Sequence, residues 1–328
     1  MICLTSYLNL GNVDMTLQVY AIIFFLIYIA FLGAISWRAR GADSGGGFVI
    51  GARKVGLLPT TAAIVATLRS GSALPFWFIL VAATGLYALI PIAVYYFFVM
   101  FMGVIAPRVR AKSARHNLVT IPDILNIGLG RYSGWIALAT ALYAALLFSA
   151  AQIFIGGTVF AGLFNMPTYY GIITSLFIVG AYLWLGGYVT LIRTDLFQFL
   201  IIIVLAAGTY FYTDFDTVIK TAPQPDWMLV LGMSMTAPVI LAQTDIWQRL
   251  YSAESGETAR NACFLACIID LAICTGLVFF ISGILNVSGS DDPGAIFEAF
   301  FGGDHANPAV TALFGIVIFA MLMSSLDN

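Results

Sequence analysis

Residues 56–87 read GLLPTTAAIVATLRSGSALPFWFILVAATGLY, and this stretch decides how the rest of the chain is understood. It is long and apolar enough to hold a membrane-crossing helix of about 20 residues. Its middle, however, carries Thr67, Arg69, Ser70, Gly71, Ser72 and Pro75. A Ser-Gly-Ser followed by a proline opens the i to i−4 hydrogen-bond ladder. The freed carbonyls are tolerable in hydrocarbon only where a cavity, water or an ion satisfies them. The stretch therefore predicts a broken membrane helix arranged around a site.

Composition sets the solvent. Hydrophobic residues make up 61% of the 328 and charged residues only 9%, too little polar material to coat a soluble domain. The expected fold class is an all-α polytopic membrane protein. Cys3, Cys263, Cys267 and Cys274 form no metal or disulfide framework, and the last three fall in one apolar run as small buried hydrophobes. The first apolar run, from Leu17 to Trp37, follows Asp14 instead of a basic region, so it reads as a true span and not as a cleavable signal.

The broken segment covers 57–82 and the third segment 86–107. Further spans are expected at 136–164, 169–185, 189–210, 227–242 and 262–285, with a last one from 309 onward. The expectation is eight full spans. The piece at 120–130, started by Pro122 and Asp123, is amphipathic and too short to cross, so it is placed on the inner surface. With the N-terminus outside, twelve of the 14 Lys and Arg residues, from Arg38 to Arg260, collect in inner loops. Lys220 stays outside and Arg69 lies within a span. That bias fits the positive-inside rule and a multi-pass protein of the plasma membrane.

Polar residues inside the spans are the candidates for function. A guanidinium at mid-membrane is costly unless it pairs or snorkels. Arg69 thus either pairs with a carboxylate such as Asp245 or Asp270, or holds a solute carboxylate in a bidentate fork. Asp270 sits mid-span and must face protein or a cavity. Asp195 stands beside Arg193 and Thr194 near the inner end of a span, either easing a cation toward the cytoplasm or capping the helix and balancing Arg193. Ser324 and Ser325 offer two adjacent hydroxyls, hard enough for Na⁺, although such serines also bond back to the preceding turn. His116 and His305 fall on opposite sides with no nucleophile beside a base, which argues against an enzyme.

Several stretches carry a resemblance. They are FVIGARKVG, ATLRSGS, VTIPDILNIGLGRYSG, GGYVTLIRTDLFQ, DIWQRL with the AR downstream of it, and the terminal MSSLDN. In this order the chain resembles the sodium:solute symporter family, whose members carry sugars, proline, pantothenate, sialic acid or iodide. The resemblance implies an inverted-repeat transporter fold of five plus five core helices after one extra N-terminal helix, with the first helix of each repeat broken. It divides the chain into 1–55, holding the first helix and a basic inner loop, 56–213 as the first five-helix repeat, and 214–328 as a partial second repeat of three helices. On that reading the chain is C-terminally incomplete, completed by missing helices or a partner chain.

The same resemblance places a sodium site on the backbone carbonyls of Ala66, Arg69 and Met321 and the hydroxyls of Ser324 and Ser325, with Asp195 on the cation's exit path. Arg69 is the departure, since a positive charge there opposes Na⁺ unless it is turned away or paired. Ala73 and Ile92 stand where sugar transporters have glutamine and glutamate. The solute is therefore expected to be a small organic one, with a carboxylate-bearing anion favoured, met by Arg69, Ser70, Ser72, Trp77 and Gln243, with Thr244 nearby. Trp77 reads equally well as packing surface. The function implied is secondary active symport driven by the inward Na⁺ gradient, with membrane lipid as surroundings and neither an organic cofactor nor nucleic acid as partner. A channel, a membrane sensor or an inactive truncated transporter on the same scaffold are the alternatives.

Overall fold

The computed structural model describes residues 15–39, 50–69, 73–212, 225–288 and 308–326. Among these residues eleven α-helices follow one another: α1 Met15–Ala39, α2 Leu57–Leu68, α3 Ala73–Thr84, α4 Leu89–His116, α5 Ile121–Leu129, α6 Arg131–Phe164, α7 Thr168–Tyr212, α8 Trp227–Thr236, α9 Thr244–Ser252, α10 Gly256–Ser288 and α11 Pro308–Leu326. Four stretches, Met15–Arg38, Leu80–His116, Arg131–Phe164 and Gly256–Gly283, are long and apolar enough to cross a membrane. Trp227–Ala242 with Thr244–Ser252, bent by 44°, makes a fifth if the pair is one span. The chain is an all-α, multi-pass membrane protein.

The break expected at 56–87 is present. Helix α2 stops at Leu68, Arg69 leaves helical geometry with φ −100° and ψ 47°, and α3 resumes at Ala73. Every residue of α2 from Thr60 to Leu68 is buried, as expected of a helix enclosed by protein on all sides. A second break lies between α8 and α9, where Ala237–Ala242 winds as a 3-10 turn with Pro238 near its start. Proline lacks the N–H that would continue the ladder. The segment at 227–242, where the resemblance implies a second broken helix, is helix, then tight turn, then a bend.

Among the described residues the helices follow the expected segments with a few differences. Besides the two broken elements, the segments expected separately at 169–185 and 189–210 run as one helix, the 45-residue α7. The stretch contains no proline, and Gly186 and Gly187 cost a helix only about 1 kcal/mol each. Opening the ladder in an apolar surround costs more. The third segment also outruns its expected end at Pro107. Helix α4 continues to His116 and closes on Asn117 in the left-handed region. Arg108, Arg110, Lys112 and Arg115 consequently lie on a helical extension and not in a loop. The short helix near residue 125 forms as expected, with Asp123 accepting from the N–H groups of Val119 and Thr120 at 2.9 and 2.8 Å.

Two hydrophobic clusters organise the interior. In the larger, α4 packs along α10, and α2, α7 and α9 close around them through Ile64, Leu68, Tyr96, Met102, Ile202, Leu250 and Cys274. In the smaller, α1 lies against α6 and α11, with Phe25 edge-on to Phe160 and Phe319 at ring distances of 5.1 and 6.1 Å. Helices α6 and α7 touch backbone to backbone at two glycines, since a Cβ on Gly171 would lie 2.2 Å from the Gly157 carbonyl oxygen. At one end of the molecule Val55 is stitched to the α9–α10 junction, its N–H donating to Ser252 O at 3.1 Å and its carbonyl accepting from Glu254 N–H at 2.9 Å. Arg53 reaches from the same turn to the carbonyl of Leu118 at 3.0 Å. Burial draws the Arg53 guanidinium below the usual arginine pKa.

Candidate solute and ion site

Arg69 follows the end of α2 in non-helical geometry, and its side chain turns into protein. It is 5% exposed. Its Nε lies 2.8 Å from Oδ1 of Asp270, which sits midway along α10 and is fully buried. Its Nη2 donates to the Tyr96 hydroxyl at 3.1 Å. That hydroxyl in turn donates to Asp270 Oδ2, and it lies 3.2 Å from Cys274 Sγ. The guanidinium also stacks over the Trp77 ring, 5.1 Å from its centroid. Of the two readings left open for Arg69, pairing with a buried carboxylate is realised, and Asp270 is the partner.

This pairing removes the objection that Arg69 raises against a nearby cation. At 2.8 Å the Asp270 carboxylate cancels most of the guanidinium's field a few ångströms away. It does not exhaust the arginine. Nη1 has no hydrogen-bond partner among the described residues, and the same holds for the buried Oγ1 of Thr67, two residues earlier. Both residues line a cavity of about 390 Å³ enclosed by α2, α3, α4, α6 and the broken α8–α9 element. Trp77, Ile92, Tyr95, Tyr96, Gln243 and Asp245 also line it. A volume of that size suits a small organic molecule.

The cavity thus brings together three of the residues expected to meet a solute, Arg69, Trp77 and Gln243. Trp77 is buried and carries the guanidinium, so it is not lipid-facing surface. Thr244 begins α9 beside Gln243 but is not among the lining residues. Ser70 and Ser72 lie outside the described residues. Tyr95, Tyr96 and Asp245 carry no helical pattern or motif that sets them apart as cavity residues. Asp245, the other candidate partner of Arg69, lies apart from it; its carboxylate accepts from the N–H of Ile246 at 3.0 Å.

The residues expected to hold Na⁺ fall on elements that pack together. Ala66 is buried one turn before the end of α2, and Met321 is buried in α11, which lies against α2 and α7. Gln198 of α7 donates to the carbonyl of Ala320 at 2.9 Å, next to Met321. Ser324 and Ser325 belong to the last turns of α11, and their side chains lie outside the described residues. Among the described residues no group of three or more His, Cys, Asp or Glu side chains converges as a metal site would require.

Asp195 is not a helix cap, since it lies deep within α7. Nor does it balance Arg193, which points outward. It pairs instead with Arg249 of α9, Oδ2 to Nη2 at 3.0 Å, both side chains fully buried. The Arg249 guanidinium sits 5.3 Å from the Tyr188 ring centroid, and the Tyr188 hydroxyl donates to Ser252 Oγ at 2.9 Å. The charge pattern places Arg249 among the inner-loop residues. The structure buries it because α9 bends back from the break and presents it to α7.

No protein-family model matches the chain. A sodium/proline symporter of Staphylococcus saprophyticus is 26% identical over 210 residues, which is 61% of this chain and 40% of that protein. The chain therefore spans about two fifths of the length of this curated relative. The structure of a Na⁺-coupled sialic acid symporter in a substrate-bound, outward-open state matches 96% of this chain and 71% of its own, at a TM-score of 0.75 and 15% identity. Both are transporters, not enzymes.

Proposed function

We propose that this chain, which is homologous to the sodium:solute symporters, belongs to a secondary active transporter that couples uptake of a small organic solute to the inward Na⁺ gradient. The observation that carries the reading is the cavity at the two helix breaks, bordered by Arg69, whose charge Asp270 meets. Discontinuous helices offer free carbonyls and helix ends to substrate and ion, and movement of the broken elements against their neighbours exchanges access between the two sides. In this reading the carbonyls of Ala66, Arg69 and Met321 and the hydroxyls of Ser324 and Ser325 hold Na⁺. The solute contacts Arg69, Ser70, Ser72, Trp77 and Gln243.

Asp195 then serves the cation's exit only when its pair with Arg249 opens, because a carboxylate engaged at 3.0 Å by a guanidinium has little field left for Na⁺. The N-terminus faces outward from the plasma membrane, 56–213 holds the helices of the first repeat, and 214–328 supplies helices of the second. The test is uptake into proteoliposomes by the full-length protein, with a panel of carboxylates, amino acids and sugars under an imposed Na⁺ gradient. Accumulation that needs the gradient and is lost in Ser325→Ala supports the reading. Downhill flux of ions without solute dependence would favour a channel instead.

A further inference from the structure

Residues 51–53 wind left-handed, with φ of 57°, 51° and 59° at Gly51, Ala52 and Arg53. Glycine adopts this region freely, whereas alanine and arginine each press Cβ against their own backbone there. Two such residues in a row persist only where their surroundings hold them, and here the holders can be named. Arg53 donates to the Ser113 hydroxyl and to the carbonyls of Leu118 and Tyr251, the last two at 3.0 and 3.4 Å. Arg110 donates to the carbonyls of Arg53 and Ala253. Val55, two residues beyond the turn, pairs with Ala253 as a parallel β-bridge through its bonds to Ser252 and Glu254. Every one of these bonds made by the two arginines goes to a neutral oxygen, which water can replace when the contact opens.

The turn sits where the two broken elements have their far ends. Helix α2 runs from Leu57, just past the turn, to Leu68 at the cavity, and α9 runs from the cavity at Gln243 and Asp245 to Ser252. The two helices lie against each other between cavity and turn, about 18 and 14 Å long at 1.5 Å per residue. The basic end of α4, which carries Arg110 and Ser113, is tied in at the same level. The bias of basic residues puts that level on the inner side of the membrane. We infer that residues 51–55 are a strained latch on the inner side of the cavity. Its release from Leu118, Tyr251, Ser252 and Glu254 lets α2 and α9 part, and Ala52 and Arg53 relax out of the left-handed region as it lets go. The strain offsets part of the hydrogen bonding, so the latched and open forms are kept close in free energy. The inference rests on the transport reading for the need to open, but not for the contacts that hold the latch shut.

The test uses the purified full-length protein in lipid nanodiscs, with Cys3→Ser and with spin labels on Lys54→Cys and Glu254→Cys, two exposed positions beside the bridge. Cys263, Cys267 and Cys274 are buried and stay unlabelled. Pulsed electron paramagnetic resonance reads the distance between the labels. The expected parent distribution has a short, latched population and a longer, open one. Ala52→Gly removes strain from the latched turn and should raise the ratio of short to long by about threefold or more. Ala52→Val puts a β-branched side chain at the same positive φ and should lower the ratio by about fivefold or more. Arg53→Gln should lower it by a similar factor through the lost bonds alone. A turn that is merely a fixed part of the fold would keep one distance in every folded variant. A single short distance in the parent, in Ala52→Val and in Arg53→Gln overturns the inference, and so does a ratio that falls in Ala52→Gly. If Ala52→Val does not fold, Ala52→Gly and Arg53→Gln decide. Ratios that shift as expected, but equally in NaCl and KCl, uphold the latch and count against sodium coupling. Na⁺-driven uptake by a protein whose labels stay close in every variant overturns the latch and leaves the coupling in place.

Discussion

The molecule buries two arginine–aspartate pairs, Arg69–Asp270 and Arg249–Asp195, and they occupy different surroundings. Both carboxylates are fully enclosed and the contact distances are alike, 2.8 and 3.0 Å. The first pair borders a cavity, shares a tyrosine hydroxyl between its members and keeps Nη1 unused. The second is roofed by the Tyr188 ring and joins α7 to α9 away from the cavity lining. A buried pair gains little net stability over well-packed apolar residues, yet losing one partner strands the other charge. What distinguishes the two is whether a stranded charge has anywhere to turn. Beside the cavity it can meet water or a solute, and between α7 and α9 it cannot.

The largest expected effect follows from that difference. Arg249→Ala leaves Asp195 charged in packed protein and should cost about 3–5 kcal/mol of stability, read as a large fall in unfolding temperature in detergent. Replacing both partners with leucine and methionine should recover most of the loss. A single variant as stable as the parent would mean that the pair is solvated and the comparison is wrong. Asp270→Asn should cost less in stability, about 1–3 kcal/mol, and more in function. It frees the Arg69 charge to oppose a cation nearby, so the sodium concentration for half-maximal stabilisation should rise about tenfold, with Arg69→Gln in the same chain restoring it.

The smaller effects refine the picture within each pair. Tyr96→Phe removes a hydroxyl that accepts from Arg69 and donates to Asp270, for an expected loss of about 1–2 kcal/mol and a weaker solute response. Tyr188→Phe removes the hydroxyl that bonds Ser252 and Arg249 and keeps the ring beside Arg249, so about 1–2 kcal/mol should be lost with sodium affinity unchanged. If Tyr188→Phe alters sodium affinity as strongly as Asp270→Asn, the α7–α9 pair is part of the ion site after all.

The composition and the charge asymmetry were enough to place this chain in a membrane, because lipid tolerates so few charges that their positions are legible directly. The end of α2 at Leu68 was equally legible, since the sequence Ser70-Gly71-Ser72 before Pro75 contradicts the helical pattern on either side. The motifs from FVIGARKVG to MSSLDN pointed to a helical scaffold like that of the sialic acid symporter whose structure this chain resembles. Helix continuity was not legible in the same way. Nothing local distinguishes the glycine pair that α7 carries straight through from a loop, and Pro107 did not end α4, because packing outweighs about 1 kcal/mol per glycine and even the larger cost of one proline.

Partner choice belonged to the tertiary structure alone. Arg69 could be seen to need a carboxylate, but Asp245 and Asp270 were equal candidates until the packing of α4 along α10 put Tyr96 and Asp270 beside it. Arg249 looked like a loop charge until the bend after Pro238 turned α9 toward Asp195. The physical reason is the range of the two signals. Burial, charge cost and backbone breaks are written into runs of neighbouring residues, whereas a salt bridge across 54 or more positions of sequence exists only once the helices that carry it have packed.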